Sequence, residues 1–141
     1  IRRDAYTTSK NSSVDIVTIR IGGGESVVDN FHSGGLVANI DLETGLLVTD
    51  AADQEGNVYT KHPYTGVTIR GFKVPYMEEA VAGIKKQIKE KNIIGYLGWD
   101  VAMSEDGPEL IEINLSPGIV LLQTPYAPEH KGMKHILEKY L

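Results

Sequence analysis

The chain has 141 residues, 41% of them hydrophobic and 23% charged, and a formal net charge of −5. Size and balance suit one soluble domain; the acidic charge argues against a nucleic-acid surface, and the absence of cysteine rules out disulfides and Cys-ligated metals. No apolar run nears the roughly 18 residues of a membrane span, and the opening IRRDAYTTSK has no signal-peptide core, so no membrane span and a cytoplasmic setting are expected.

Ile1 to Thr8 and Val14 to Ile21 read as strands around the polar turn Ser9 to Ser13. A start inside a strand, without methionine, predicts a piece of a longer protein. Arg20 sits mid-strand in IVTIRIG, and hairpin pairing would set it across from Arg2 or Arg3. Facing cations destabilise a sheet, so either the side chains splay into water or an anion lies between them. Gly22-Gly23-Gly24 reads as a connector. The second pair, Gly34-Gly35, would let a ligand approach the backbone closely.

Leu36 to Leu42 and Leu46 to Ala51 predict a second hairpin through Glu43-Thr44-Gly45. Asn57 to Lys61 is a short strand, His62 to Gly66 a loop, and Val67 to Lys73 a further extended piece. Pro75 opens a helix over Tyr76 to about Lys89. Met77, Ala80, Val81, Ile84 and Ile88 recur there at helical spacing, with acids at its start and lysines near its end. Ile119 to Gln123 predicts a helical turn. Pro128 is expected to open a last helix with Met133, Ile136, Leu137 and Tyr140 buried. The expected fold class is α+β, an antiparallel sheet with helices packed mainly on one face.

The strongest chemical signal lies in GWDVAMSEDGPELIEINLSPG, two strands joined by a turn rich in turn formers. Centring the hairpin on Asp106 sets Asp100 opposite Glu112, with Asn114 two residues on along the same face. Single acids on strands are commonly surface decoration. Two carboxylates and a carboxamide converging, one of them inside the apolar run GYLGWDVAM, are costly to bury without a cation. Oxygen-only ligation suits Mg²⁺ held together with substrate phosphates. Arg20 likewise needs a partner, and a phosphate or acyl-phosphate is a natural one. His32 lies between Gly-rich turns, where a lone histidine is more often structural than catalytic. His62 reads as a loop-fixing residue, and His130 and His135 as solvent-facing.

These residues resemble the C-terminal lobe of the ATP-grasp ligases, in which a strand Asp, a Glu-x-Asn on the paired strand and a Pro-Gly turn hold magnesium. The order Arg2, Arg20, then Asn30 before Gly34-Gly35 is similar to glutathione synthetase and the ribosomal-protein glutamate ligase. DNFHSGGLVANIDLETG, HPYTG and the Pro-led helix resemble most the sugar-transfer-associated ATP-grasp branch, linked to cell-surface polysaccharide genes. The resemblance spans nearly the whole chain. It implies ATP and Mg²⁺ as cofactors, with Asp100, Glu112 and Asn114 as metal ligands. Arg20 and Arg2 would face the γ-phosphate and acyl-phosphate, and Asn30 and Gly35 would line the reacting centre. Glutathione synthetase has an arginine near the place of Asp29, so that cationic contact is expected to be either absent here or replaced by His32. The substrates implied are a small carboxylate and an amine or sugar-linked acceptor. The nucleotide-covering N-terminal lobe is missing from residues 1–141, so this chain would carry half a site. The alternative is a non-catalytic relative that binds a nucleotide or sugar.

Overall fold

The computed structural model describes residues 2–8, 11–22, 34–91 and 95–138; for 2–8, 11–12, 135 and 137 it describes the backbone alone. Eight strands form one antiparallel sheet. They are β1 (Arg2–Thr8), β2 (Asn11–Ser12), β3 (Ile16–Ile21), β4 (Leu36–Ile40), β5 (Ala51–Ala52), β6 (Val58–Tyr59), β7 (Gly95–Ser104) and β8 (Gly107–Asn114). The order across the sheet is β6-β5-β4-β3-β1-β7-β8, with β2 paired to β1. Helix α1 (Met77–Lys91) is followed, after β8, by α2 (Val120–Gln123), a 3₁₀ helix (Thr124–Glu129) and α3 (Lys134–Leu137). The α+β class expected from the sequence is what the chain adopts. Among the described residues no helix is long and apolar enough to cross a membrane.

The two faces of the sheet do different work. One is apolar. Helix α1 lays Ala80, Ile84 and Ile88 on Leu97, Trp99 and Val101 of β7, and all six are buried. Alternation along β3 and β4 puts Val17, Ala38 and Ile40 on this same face, in the cluster with Leu47, Ile69 and Met77. Glu78 and Glu79 in the first turn of α1 and Lys89 and Lys91 in the last complement its dipole. Among the described residues the opposite face is covered at one end only, where Leu121 packs on Val37, and Leu122 and Met133 on Ile16.

Several local expectations are corrected. Leu46 to Ala51 is not a regular strand. Leu47 makes an isolated bridge to Ile40, and the β4 ladder resumes at Val37 opposite Ala52, after a detour in which the Thr49 hydroxyl accepts from the Asn39 amide at 3.0 Å. Val67 to Lys73 is not extended throughout, because Gly71, at φ 87°, turns it between the bridges of Thr68 to Lys61 and Lys73 to Leu46. Pro128 does not open a helix. It lies inside the 3₁₀ helix, which ends at His130 in the left-handed region, and the last α-turn begins only at Lys134. Met133 is buried and Ile136 partly so, as expected of the apolar stripe; the side chain of Leu137 and the whole of Tyr140 fall outside the described residues. Arg70 ties this segment to the sheet: it donates to the Val48 carbonyl at 2.7 Å and lies 3.6 Å from Glu129 and 3.7 Å from Asp50.

Asp53 organises the β5–β6 turn. Its carboxylate accepts from the Asn57 amide and side chain, each at 2.8 Å, and from the Tyr59 hydroxyl at 2.9 Å. Burial pushes its pKa up, but these hydrogen bonds outweigh burial and hold it below 3.8. A carboxylate depressed in the folded state stabilises the fold above its ordinary pKa, and that contribution disappears as pH falls through the folded value. Asp53→Ala is expected to cost about 1–3 kcal/mol at neutral pH by leaving these donors unmet. Below pH 3.8 the gap between wild type and variant should close, as denaturant unfolding across pH will show.

Candidate functional site

The β7–β8 hairpin sets the geometry. Its turn has two central residues, Glu105 and Asp106, with Ser104 paired to Gly107. The Ser104 hydroxyl donates to the Gly107 carbonyl at 2.9 Å, and Gly107 takes φ 123°, a region few residues but glycine adopt. The hairpin is therefore not centred on Asp106, which corrects the expectation above. Continued from this turn, the pairing would place Asp100 opposite Ile111. A register shift between Asp100 and Val101 intervenes: Val101 pairs with Leu110, Asp100 with Glu112, and Ile111 is the extra residue. Asp100 and Glu112 are therefore directly opposed after all, for a reason that symmetry did not supply.

The pairing extends sideways. Asp100 is opposite Arg2, Arg2 opposite Thr18, and Thr18 opposite Asn39. Directly paired residues share a face, so Asn39, Thr18, Arg2, Asp100 and Glu112 form one polar row across five strands. Arg20 follows Thr18 by two residues on the same face and is paired with Val37, not with an arginine. The expected Arg20–Arg2 or Arg20–Arg3 opposition is thus corrected, since Arg2 and Arg3 take Thr18 and Val17 instead.

Arg20, Asp100 and Glu112 line one cleft of about 570 Å³, together with Ile19, Val101 and Ile111. Asp100 is 9% exposed, whereas Glu112 lies open to solvent. Arg20 Nε is buried and meets no hydrogen-bond acceptor among the described residues. Asn114 is opposite Gly98, two residues along the ladder on the same face, and its side-chain amide donates to Glu112 Oε1 at 3.1 Å. That bond leaves the carboxamide oxygen as the group Asn114 can offer a cation. Among the described residues no group of three His, Cys, Asp or Glu converges to hold a metal. The oxygen donors here are two carboxylates and one carboxamide. They suit a hard divalent ion that keeps its other positions for water and phosphate oxygens.

Gly35 immediately precedes β4, at the end of the sheet where Arg20 stands. Asp29, Asn30 and His32 lie outside the described residues, as does the side chain of Arg2. Thr18 and Asn39 were missed in the sequence. Their signal was a polar residue inside each of the buried strands IVTIRI and LVANI. His62 fixes its loop as expected. The Thr65 amide donates to its Nδ1 at 3.2 Å, so Nε2 carries the proton and donates to the Gly22 carbonyl at 2.7 Å. This pins the exit of the strand that carries Arg20.

Residues 1–139 match the sugar-transfer associated ATP-grasp family. The chain belongs to that family. No curated protein and no solved structure matches it.

Gly107→Ala is expected to cost about 1–3 kcal/mol, because alanine is strained at that φ. It should also disturb the Asp100–Glu112 pairing. Denaturant unfolding measures the first, and altered amide shifts at both carboxylates report the second.

Proposed function

We propose that residues 1–141 are the C-terminal lobe of an ATP-grasp domain, the Mg-ATP-holding part of an ATP-dependent carboxylate ligase. Its place is cytoplasmic, in the making of cell-surface polysaccharide. Family membership supports an ATP-grasp function, and ATP-grasp families are generally ligases that use ATP and Mg²⁺. The observation that carries the finer reading is the convergence of Arg20 with Asp100 and Glu112 on one cleft.

In this reading a substrate carboxylate oxygen attacks the γ-phosphorus of ATP. The bond to the β-phosphate oxygen breaks, and ADP leaves. An amine, or a nucleophile on a sugar-linked acceptor, then attacks the acyl carbon, loses a proton and displaces phosphate. Bound Mg²⁺ supplies charge neutralisation at the phosphate oxygens. Asp100 and Glu112 hold the metal, Asn114 adds its carboxamide oxygen and orients Glu112, and Arg20 stabilises the transferring phosphoryl group. The backbone of Arg2 stands in the ladder between Thr18 and Asp100, and in this reading Arg2 serves the same phosphate. Asn30 and Gly35 line the reacting centre, and His32 stands in for a cationic contact to the nucleotide. No side-chain nucleophile is required.

Two measurements test this reading. In a protein that also carries the opposing lobe, candidate carboxylates should stimulate Mg²⁺-dependent ADP release. Asp100→Asn should lower that release by at least about a hundredfold, the scale on which removal of a transition-state-stabilising group acts. ATP binding without ADP release would instead identify a binding module, and full turnover by Asp100→Asn would remove the metal role. The 141-residue chain alone should bind ATP no tighter than millimolar by calorimetry, since half the nucleotide would stay in water. Micromolar binding would show the site to be complete within this chain.

A further inference from the structure

Beneath the C-terminal turns, β3 and β4 bring two unmet polar atoms into one patch. Thr18 is directly opposite Asn39, and Arg20 directly opposite Val37. Residues two apart on a strand share a face, so these four stand at the corners of a patch on the polar face, with Arg20 and Asn39 on its diagonal. Arg20 Nε is a buried donor with no acceptor among the described residues. Asn39 Oδ1 is a buried acceptor with no donor among them. Asn39 is 2% exposed, and its Nδ2 is already committed to the Leu122 carbonyl at 3.3 Å. That bond sets the orientation of the amide and leaves Oδ1 as the end without a partner.

The patch is roofed. Leu121 packs on Val37, and Leu122 packs on Ile16, the residue before Thr18 on this face. Thr18, Val37, Asn39, Leu121 and Leu122 are all buried, so bulk solvent does not reach the two atoms from above. They do not bond each other either. Diagonal neighbours on paired strands stand about 7–8 Å apart, too far for short side chains but within reach of long ones. The arginine stem and the asparagine arm each close part of that distance. A water molecule both accepts and donates, and it fits a polar site that offers it at least two partners.

We propose that one ordered water, seated between Arg20 Nε and Asn39 Oδ1, ties Arg20 to the sheet, and that Asn39 is a positioning residue for it. The water accepts from Nε and donates to Oδ1. A guanidinium has five N–H donors. With Nε tied back, the four on Nη1 and Nη2 are presented to the cleft that Arg20 lines with Asp100 and Glu112. A side chain held in this way has less freedom left to lose when an anion binds. The tie also gives a reason for a polar residue inside the buried strand LVANI. It is independent of the ligase reading. On that reading, Asn39 positions the group that stabilises the transferring phosphoryl.

The test is NMR on the 141-residue chain with ¹⁵N-labelled arginine, the Arg20 side-chain signal being the one that Arg20→Lys removes. In the wild type, Arg20 Hε should show a cross-peak to water with the NOE and ROE signs of a bound molecule. Asn39→Leu keeps the volume of the side chain and removes both polar atoms. It should abolish that cross-peak and speed exchange of Arg20 Hε with solvent roughly fivefold, the scale of one lost hydrogen bond. A purely structural role for Asn39 would leave Arg20 Hε as it is. The absence of a bound-water cross-peak in the wild type would overturn the tie, whether or not the variant folds. A cross-peak that persists in folded Asn39→Leu, or unchanged Hε exchange there, would overturn the role of Asn39.

Discussion

The candidate site depends on one irregularity, the register shift between Asp100 and Val101. From the turn as far as Val101 the β7–β8 hairpin follows a two-residue turn held by Gly107. Had that register continued, Glu112 would stand opposite Trp99, on the apolar side of the sheet that α1 covers beside Leu97 and Val101. Placing a carboxylate there would cost several kcal/mol. The extra residue Ile111 moves Glu112 into line with Asp100 and carries its own apolar side chain outward, 63% exposed. An exposed isoleucine on a bulge is a small local loss. In exchange the sheet keeps an apolar face intact and gathers its acids on the other.

That separation of faces explains why the sheet can carry so polar a row at its centre. Asn39 is almost fully buried, yet it sits on the row with Thr18 and Asp100. Its side-chain amide donates to the Leu122 carbonyl at 3.3 Å, while its backbone amide uses the Thr49 hydroxyl. The C-terminal turns thus cover one end of the polar face by packing Leu121 and Leu122, and also by accepting a hydrogen bond from the Asn39 side-chain amide beneath them. The other end, toward Glu112, stays open. A face dry at one end and wet at the other is a reasonable seat for a ligand whose charged part must be partly desolvated.

Much of this was legible in the chain because period and punctuation were strong. Helix α1 announced itself through Met77, Ala80, Ile84 and Ile88, and its observed ends differ from expectation by only one or two residues. The antiparallel class followed from short alternating runs between turn formers. Tertiary pairing was not legible. Arg20 was matched to Arg2 or Arg3 on a turn spanning Ser9 to Ser13, yet β2 already pairs with the end of β1, Thr8 opposite Asn11, and the β1–β3 ladder then brings Arg2 opposite Thr18. Leu46 to Ala51 alternates too weakly to reveal that Leu47 bonds outward to Phe72 and Gly71 instead of extending a ladder. Pro128 carried a helix-start signal, but the 3₁₀ turn already begun at Thr124 takes it into its interior. Asp100 was matched with Glu112 from equal distances to a turn whose centre was misplaced by half a residue. The bulge then compensated by the same amount.

Charge explains why the acids and the arginine sit together on the proposed reading. Asp100 and Glu112 face each other across a strand pair, where like charges repel. Arg20 lines the same cleft, and its buried Nε meets no acceptor among the described residues. On the proposed reading a metal–phosphate unit suits both groups, since its cation would meet the carboxylates and its oxygens the guanidinium.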